Sequence, residues 1–274
     1  MVLKEFRLDL EAVLSQILYG QGYLHYGYWK DGKADEVSLC SLGKAQQAYF
    51  DQLAATIPEG TKSVLDVGSG TGSNAFSLLQ ESYSVDCVCP SPRLNAIAKK
   101  KLPQDTQIFE CKFEELKTDK IYDLLLFSES FHYLDAKKAF HQIDIYAEKH
   151  VLIFDYFPRK DSDTDKKISY RQFTRLMSDS FPGKFKILSD QDMTSFITPT
   201  FKVLDEIKNN YAGPFVISSV ADFKKQHPVY SFLLSYPLSR LLARFEKPSN
   251  HYKKFSEAYE YRLILLAKNE STNS

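Results

Sequence analysis

A chain of 274 residues, 43% hydrophobic and 26% charged, is long and apolar enough to bury a substantial core. Its 35 basic and 35 acidic residues balance, which excludes a general electrostatic pull toward nucleic acid or an anionic membrane. No apolar run approaches the roughly 20 residues that cross a bilayer, so stable membrane insertion is not expected.

The amino-terminal stretch carries Lys4, Glu5, Arg7 and Asp9 and does not read as a secretory signal. The four cysteines, Cys40, Cys87, Cys89 and Cys111, are too few for a disulfide scaffold and match no zinc spacing. Reduced core thiols, a cytoplasmic location and no metal site are the expectation. The 20 Phe and 17 Tyr are many for this length and suggest either a well-filled core or an aromatic-lined pocket.

The elements follow in chain order. Leu10, Val13, Leu14, Ile17 and Leu18 recur at helical spacing, as do Ala45, Tyr49, Phe50 and Leu53, with Pro58 and Gly60 stopping the second helix. An aromatic loop, Tyr23 to Trp29, lies between them. From Ser63 to Tyr156 short apolar runs alternate with helices. Strands are predicted at Ser63 to Val67, Ser84 to Cys89, Gln107 to Glu110, Tyr122 to Phe127 and Val151 to Asp155. Helices are predicted through Leu79, over Leu94 to Lys101 and over Lys137 to Tyr146. Strands apolar on both faces that alternate with helices indicate a parallel sheet covered on both sides. Beyond Pro158 the pattern is mostly helical. A strand is predicted at Phe185 to Ser189, a helix over Tyr230 to Phe245 kinked at Pro237, and a last strand at Tyr261 to Lys268.

The stretch Val64-Leu-Asp-Val-Gly-Ser-Gly-Thr-Gly72 ends the first predicted strand and opens a helix. Glycines let the backbone turn tightly and approach a ligand, and the helix start behind them offers free N–H groups to an anionic group. The dinucleotide fingerprint G-x-G-x-x-G would need its third glycine where Ser73 stands. The stretch instead resembles motif I of the class I S-adenosylmethionine-dependent methyltransferases. Tyr122 to Leu134 resembles that family's fourth strand and following loop, Ala139 to Asp155 its next helix and fifth strand, and Phe185 to Asp190 and Tyr261 to Lys268 its last two strands. The loop around His25 to Trp29 resembles the amino-terminal segment of small-molecule members, such as the cyclopropane synthase, sterol and natural-product methyltransferases.

This resemblance implies an α/β, Rossmann-like fold: a seven-stranded, mostly parallel sheet with the last strand antiparallel. It also implies an amino-terminal helical lid over 1–60, a cofactor-binding core over 61–157, and a helical cap with the last strands over 158–274, together one domain. S-adenosyl-L-methionine is the implied cofactor. The positions implied to hold it are Tyr26, Tyr28, Trp29, Asp66, Gly68, Ser69, Gly70, Gly72, Cys89, Pro90, Phe113, Glu114 and Ser128. Glu129 and His132, on the loop after the fourth strand, are implied to face cofactor and substrate, with His132 as the candidate base. The Gln191 to Thr200 segment stands where similar enzymes build a substrate wall, and Asp192 and Thr194 in it read rather as a helix cap.

Three positions depart from the family's pattern. Cys89 stands where an acid accepts both ribose hydroxyls. Lys112 stands near the adenine-contacting acid, with Glu114 as a substitute. Lys149-His150 replaces a Gly-Gly turn. The expected function is methyl transfer to a small, partly apolar molecule, with no nucleic-acid partner. The alternative is a methyltransferase-fold protein that no longer methylates, such as a cyclase or isomerase. An RNA or protein methyltransferase is disfavoured by the balanced charge, and an NAD-binding oxidoreductase by the glycine spacing.

Overall fold

The structure, a computed structural model, describes residues 23–33, 38–161, 163 and 167–269. The helix expected around Leu10 to Leu18 lies outside them.

Seven strands form a single sheet in the order β3-β2-β1-β4-β5-β7-β6. They are β1 (Ser63–Val67), β2 (Ser84–Val88), β3 (Ile108–Phe109), β4 (Tyr122–Ser128), β5 (Ala147–Pro158), β6 (Phe185–Asp192) and β7 (Tyr259–Lys268). The first five pair in parallel, and β7 lies antiparallel between β5 and β6. The period of two decides the packing. Val64, Leu124, Leu126, Leu152 and Phe154 point into one core, while Leu65, Leu125, Phe127, Val151 and Ile153 point into the other. Both faces are therefore covered, as uninterrupted apolar strands require.

The connecting helices include α1 (Leu39–Ala54), α2 (Ser73–Gln80), α3 (Pro92–Lys101), α4 (Ala136–Tyr146) and α5 (Tyr170–Ser180). Ser38 caps α1 reciprocally with Ser41. The inner face of α1, Ala45, Tyr49, Phe50 and Leu53, is buried at the spacing seen in the sequence. After β6 come α6 (Thr194–Ile197), α7 (Pro199–Glu206), a π-helical turn (Ile207–Ala212), α8 (Gly213–Gln226), α9 (Pro228–Leu233), α10 (Ser235–Phe245) and α11 (His251–Ala258).

The helix expected over Tyr230 to Phe245 is two helices, and the break falls at Leu234 rather than at Pro237. A continuous helix would set the Pro237 ring against the Leu233 carbonyl four residues back. Breaking one turn earlier places the proline in a first turn, where no N–H is needed. The strands at both ends of β5 and the end of β6 run longer than the apolar runs that predict them. At the start of β5 Ala147 pairs with Tyr122 of β4, and the extra residues Tyr156 to Pro158 of β5 and Asp190 to Asp192 of β6 pair with β7.

Candidate active site

The order in which strands are added reverses between the parallel neighbours β1 and β4, which leaves a crevice at their carboxyl ends, the place where open parallel sheets take ligands. The glycine-rich turn sits there. Gly68, Gly70 and Gly72 have φ of 78°, 56° and 74°. Left-handed values suit glycine, and at Gly68 space also demands it, because a Cβ would overlap Ser130 on the β4 loop. Ser130 in turn donates its hydroxyl to the Val67 carbonyl at 2.5 Å, tying the two loops together.

Around this turn the protein leaves buried polar atoms without protein partners: Asp66 Oδ2, Ser69 Oγ, Asn74 Oδ1 and His25 Nε2. Native interiors satisfy nearly all such atoms, so this concentration fits a polar ligand lying against the turn. Burial pushes the Asp66 carboxyl up to about 7 and the His25 imidazole down to about 4. His25 stacks on Tyr49 at 4.0 Å and touches the Tyr26 carbonyl through Nδ1 at 2.8 Å.

The loop over residues 23–29 covers the turn. A Cβ on Gly70 would stand 3.1 Å from the Leu24 side chain. Leu24 also packs with Cys89, Leu94 and Ile97. The Cys89 sulfur is buried beside the Ser91 and Gly70 N–H groups, and burial raises its pKa. Pro90 follows it at the surface. Further along, Tyr28 stacks on Phe196 at 5.3 Å, and the Trp29 indole donates to Thr200 Oγ1 at 2.9 Å. Trp29 packs among Leu42, Ala45 and Val203, on α1 and α7, and not among the groups lining the turn. Phe113 is buried in the core on the other face of the sheet, edge-on to Phe127. Glu114 accepts from the Asp135 N–H at 3.0 Å and keeps Oε2 buried and unpaired. Lys112 is exposed and paired with Glu115 at 3.5 Å.

At the end of β4, Glu129 has a left-handed backbone, φ 51°, held by its N–H to the Phe154 carbonyl at 3.0 Å. A non-glycine residue held there by its surroundings marks strain of the kind found at functional sites. Glu129 Oε1 accepts from the Tyr26 N–H and from the Tyr261 hydroxyl, both at 2.7 Å. Tyr261 is 3.2 Å from the Tyr49 hydroxyl, which donates to the Phe154 carbonyl at 3.0 Å and lies 3.3 Å from Ser128 Oγ. Burial lifts the Glu129 carboxyl to about 8, although both of those donors favour its charged form.

Three residues on, His132 is buried. Its Nδ1 lies 2.8 Å from Asp155 Oδ1, and its backbone N–H donates to Asp155 Oδ2 at 3.1 Å. The Tyr156 N–H adds a third bond to Asp155, at 2.7 Å. The imidazole lies between the rings of Tyr133 and Tyr156, at 3.9 and 4.2 Å, and its Nε2 has no partner in the protein. Beside it Tyr26, Tyr156, Phe201, Phe255 and Tyr259 form an aromatic cluster, with Phe201 and Phe255 stacked at 4.3 Å. In the Gln191 to Thr200 segment, Asp192, the last residue of β6, accepts from the Thr194 N–H at 2.8 Å, while the residue before α6 is Met193, which makes no side-chain cap.

Sequence reasoning missed Asp155, Tyr261, Leu24 and His25. Asp155 ends an apolar strand, and that was its one visible signal.

The methyltransferase-domain family matches residues 64–145. The cypemycin N-terminal methyltransferase of a Streptomyces species is 33% identical over 78 residues, 28% of this chain and 32% of that protein. An uncharacterized methyltransferase of Bacillus cereus (strain 03BB102) is 31% identical over 86 residues, 31% of this chain and 41% of that protein. The chain thus spans about a third of the length of the first of these curated relatives and less than half of the second.

Over the whole chain the likeness is one of fold. The geranyl diphosphate C-methyltransferase of Streptomyces coelicolor A3(2), solved with Mg2+, a substrate analogue and S-adenosyl-L-homocysteine, superposes with a TM-score of 0.66. It is 12% identical, over 94% of this chain and 92% of that one. The cyclase SpnF superposes with a TM-score of 0.65 at 18% identity, over 96% and 94% of the chains. The chain has the class I methyltransferase fold, with β7 antiparallel between β5 and β6.

Proposed function

We propose that this chain binds S-adenosylmethionine against the Gly68–Gly72 turn and transfers its methyl group to a small, partly apolar molecule. One observation carries the reading. The unsatisfied polar turn after β1 and the His132–Asp155 pair after β4 sit at the same edge of adjacent strands.

When bound, the cofactor supplies an electrophilic methyl group on a sulfonium. The residues of this chain do the rest. Gly68, Ser69, Gly70 and Gly72 give the backbone close approach, and the start of α2 presents N–H groups to a carboxylate. Asp66, Asn74 and His25 hold polar atoms toward the same place, and Cys89, Pro90, Phe113, Glu114 and Ser128 are the further cofactor positions that the family resemblance assigns. Tyr26, Tyr28 and Trp29 anchor the loop that covers the turn. Asp155 keeps a proton on Nδ1 of His132, which leaves Nε2 its lone pair to take a proton from the acceptor. Tyr26, Tyr156, Phe201 and Phe255 form an apolar wall, which excludes water and orients the acceptor.

Calorimetry with S-adenosylhomocysteine tests the placement. The unaltered protein should bind, and Gly70→Leu, whose side chain enters the space now taken by Leu24, should not. Undiminished binding by a folded Gly70→Leu protein would overturn it.

A second reading rests on Cys89. It is buried in an apolar cluster where an acid would accept ribose hydroxyls. That favours a protein that keeps the fold for another reaction, as a cyclase would. Turnover of methyl-labelled S-adenosylmethionine with small alcohols, phenols and amines separates the two: methylated product supports transfer, and cofactor binding without turnover supports the second reading.

A further inference from the structure

The helices α8, α9 and α10 project large apolar side chains into solvent. Within eight residues Val229, Tyr230, Phe232, Leu233, Leu234 and Tyr236 are all exposed, Phe232 at 79% and Leu233 at 70%. Phe215 on α8 is exposed as well, at 71%. The run spans the end of α9, the break at Leu234 and the start of α10, so it forms the tip of a helical arm. Monomeric soluble proteins rarely present so many large apolar groups together without a partner.

The charges around the tip are mostly positive. Between 207 and 248 stand Lys208, Lys224, Lys225, Arg240, Arg244 and Lys247 against Asp222 and Glu246, a net of +4 in a chain whose total is zero. Lys224 and Lys225 end α8 just before the tip, and Arg240 lies just after it, its guanidinium 5.4 Å from the Tyr236 ring. Lys224, Lys225 and Arg240, beside the tip, are exposed. The balanced total charge therefore conceals a segregated arm.

We infer that this arm docks on an anionic lipid surface, with the 229–236 tip entering the headgroup boundary and Lys224, Lys225 and Arg240 against the phosphates. Aromatic and leucine side chains with a basic collar are the composition that lies in a bilayer interface. No helix among the described residues is long and apolar enough to cross a membrane, so the contact is peripheral. A second copy of the chain fits less well, because a two-fold contact through the tip would press Lys224, Lys225 and Arg240 against their own counterparts. Docking would also bring the site to the phase in which an apolar acceptor dissolves.

Vesicle flotation tests this. The full chain should rise with vesicles of phosphatidylcholine mixed with phosphatidylglycerol and stay behind with phosphatidylcholine alone. High salt should weaken the binding. Each basic residue near an anionic surface changes binding by about five-fold, so Lys224→Gln with Lys225→Gln should lower it by about thirty-fold. Phe232→Glu should abolish it without lowering the thermal unfolding midpoint, since the side chain is exposed in the native state. Failure of the folded protein to float with either vesicle overturns the proposal. So does equal binding to both vesicles, or a dimer in sedimentation that Phe232→Glu dissociates.

Discussion

His132 and Asp155, 23 residues apart in sequence, are joined twice: ring Nδ1 to one carboxylate oxygen at 2.8 Å, backbone N–H to the other at 3.1 Å. The pair of hydrogen bonds fixes the ring's orientation. A positioned base contributes about 10²–10⁴-fold. On a hydroxyl acceptor, His132→Ala should lower kcat by that order and leave the dissociation constant for S-adenosylhomocysteine nearly unchanged. Asp155→Asn should lower kcat too. Its amide cannot accept at both oxygen positions from Nδ1 and the two N–H groups. A full-rate His132→Ala enzyme would return the histidine to a packing role.

The glycine-rich turn carries a stability prediction. Gly68→Ala forces a side chain into a left-handed position, at a cost of about 1–2 kcal/mol, and drives Cβ into Ser130. Its thermal unfolding midpoint should fall. Gly60→Ala has the same left-handed φ, 82°, but nothing near its Cβ. It should lose only the backbone part, and equal losses in the two variants would show that the Ser130 contact does not matter.

Asp66 predicts a pH dependence. Burial raises its carboxyl to about 7, so the native state holds this proton more tightly than the unfolded chain does. The stabilisation is complete below the ordinary aspartate range of about 4 and is lost as pH rises through about 7. Asp66→Asn cannot ionise. In the ligand-free protein the unfolding midpoint of the unaltered chain should therefore drop, relative to Asp66→Asn, between about pH 4 and about pH 7. Parallel curves would mean that Asp66 is charged in the native state.

Cys89→Asp restores an acceptor beside the Ser91 and Gly70 N–H groups. A hydrogen bond to a charged acceptor contributes about 1.5–3 kcal/mol, so S-adenosylhomocysteine should bind at least about tenfold more tightly. Calorimetry that shows no gain would mean that another group already holds the ribose.

Thr200 clasps the loop over the turn. Its hydroxyl oxygen accepts from the Trp29 indole at 2.9 Å and the Gly27 N–H at 3.1 Å. Thr200→Val keeps the shape and leaves two buried donors unpaired, each costing about 1–3 kcal/mol. Hydrogen exchange of the amides of residues 23–29 should quicken. Unchanged exchange would show that the loop's other contacts, to Glu129, Ala45 and Phe196, hold it without Thr200.

Features governed by local chemistry were legible in the sequence. The helical spacing of Ala45, Tyr49, Phe50 and Leu53, the apolar run Asp123 to Phe127 and the glycine spacing at 68–72 each appear where expected. Features that depend on strand order were not. Asp155 meets His132 because β5 lies next to β4, and Tyr261 meets Glu129 because β7 lies next to β5. No periodicity records those neighbours. Trp29 and Phe113 look alike in sequence to ring-stacking residues, and burial against α1 and Phe127 decides their places. The break at Leu234 was misplaced because a proline acts on the turn before it.

The position of β7 has a consequence for synthesis. Most chains could add a late strand at a sheet's edge, but here β7 enters between β5 and β6. Until it emerges from the ribosome, β5 has one open side and β6 has no neighbour at all. Glu129 likewise waits for a hydroxyl that lies 132 residues downstream. At 5–20 residues per second that wait is on the order of ten seconds. During it, the buried acid has only the Tyr26 N–H, and an unpaired β5 edge is open to other strands. A nascent chain held before Tyr259 should therefore aggregate more readily than one released after Lys268.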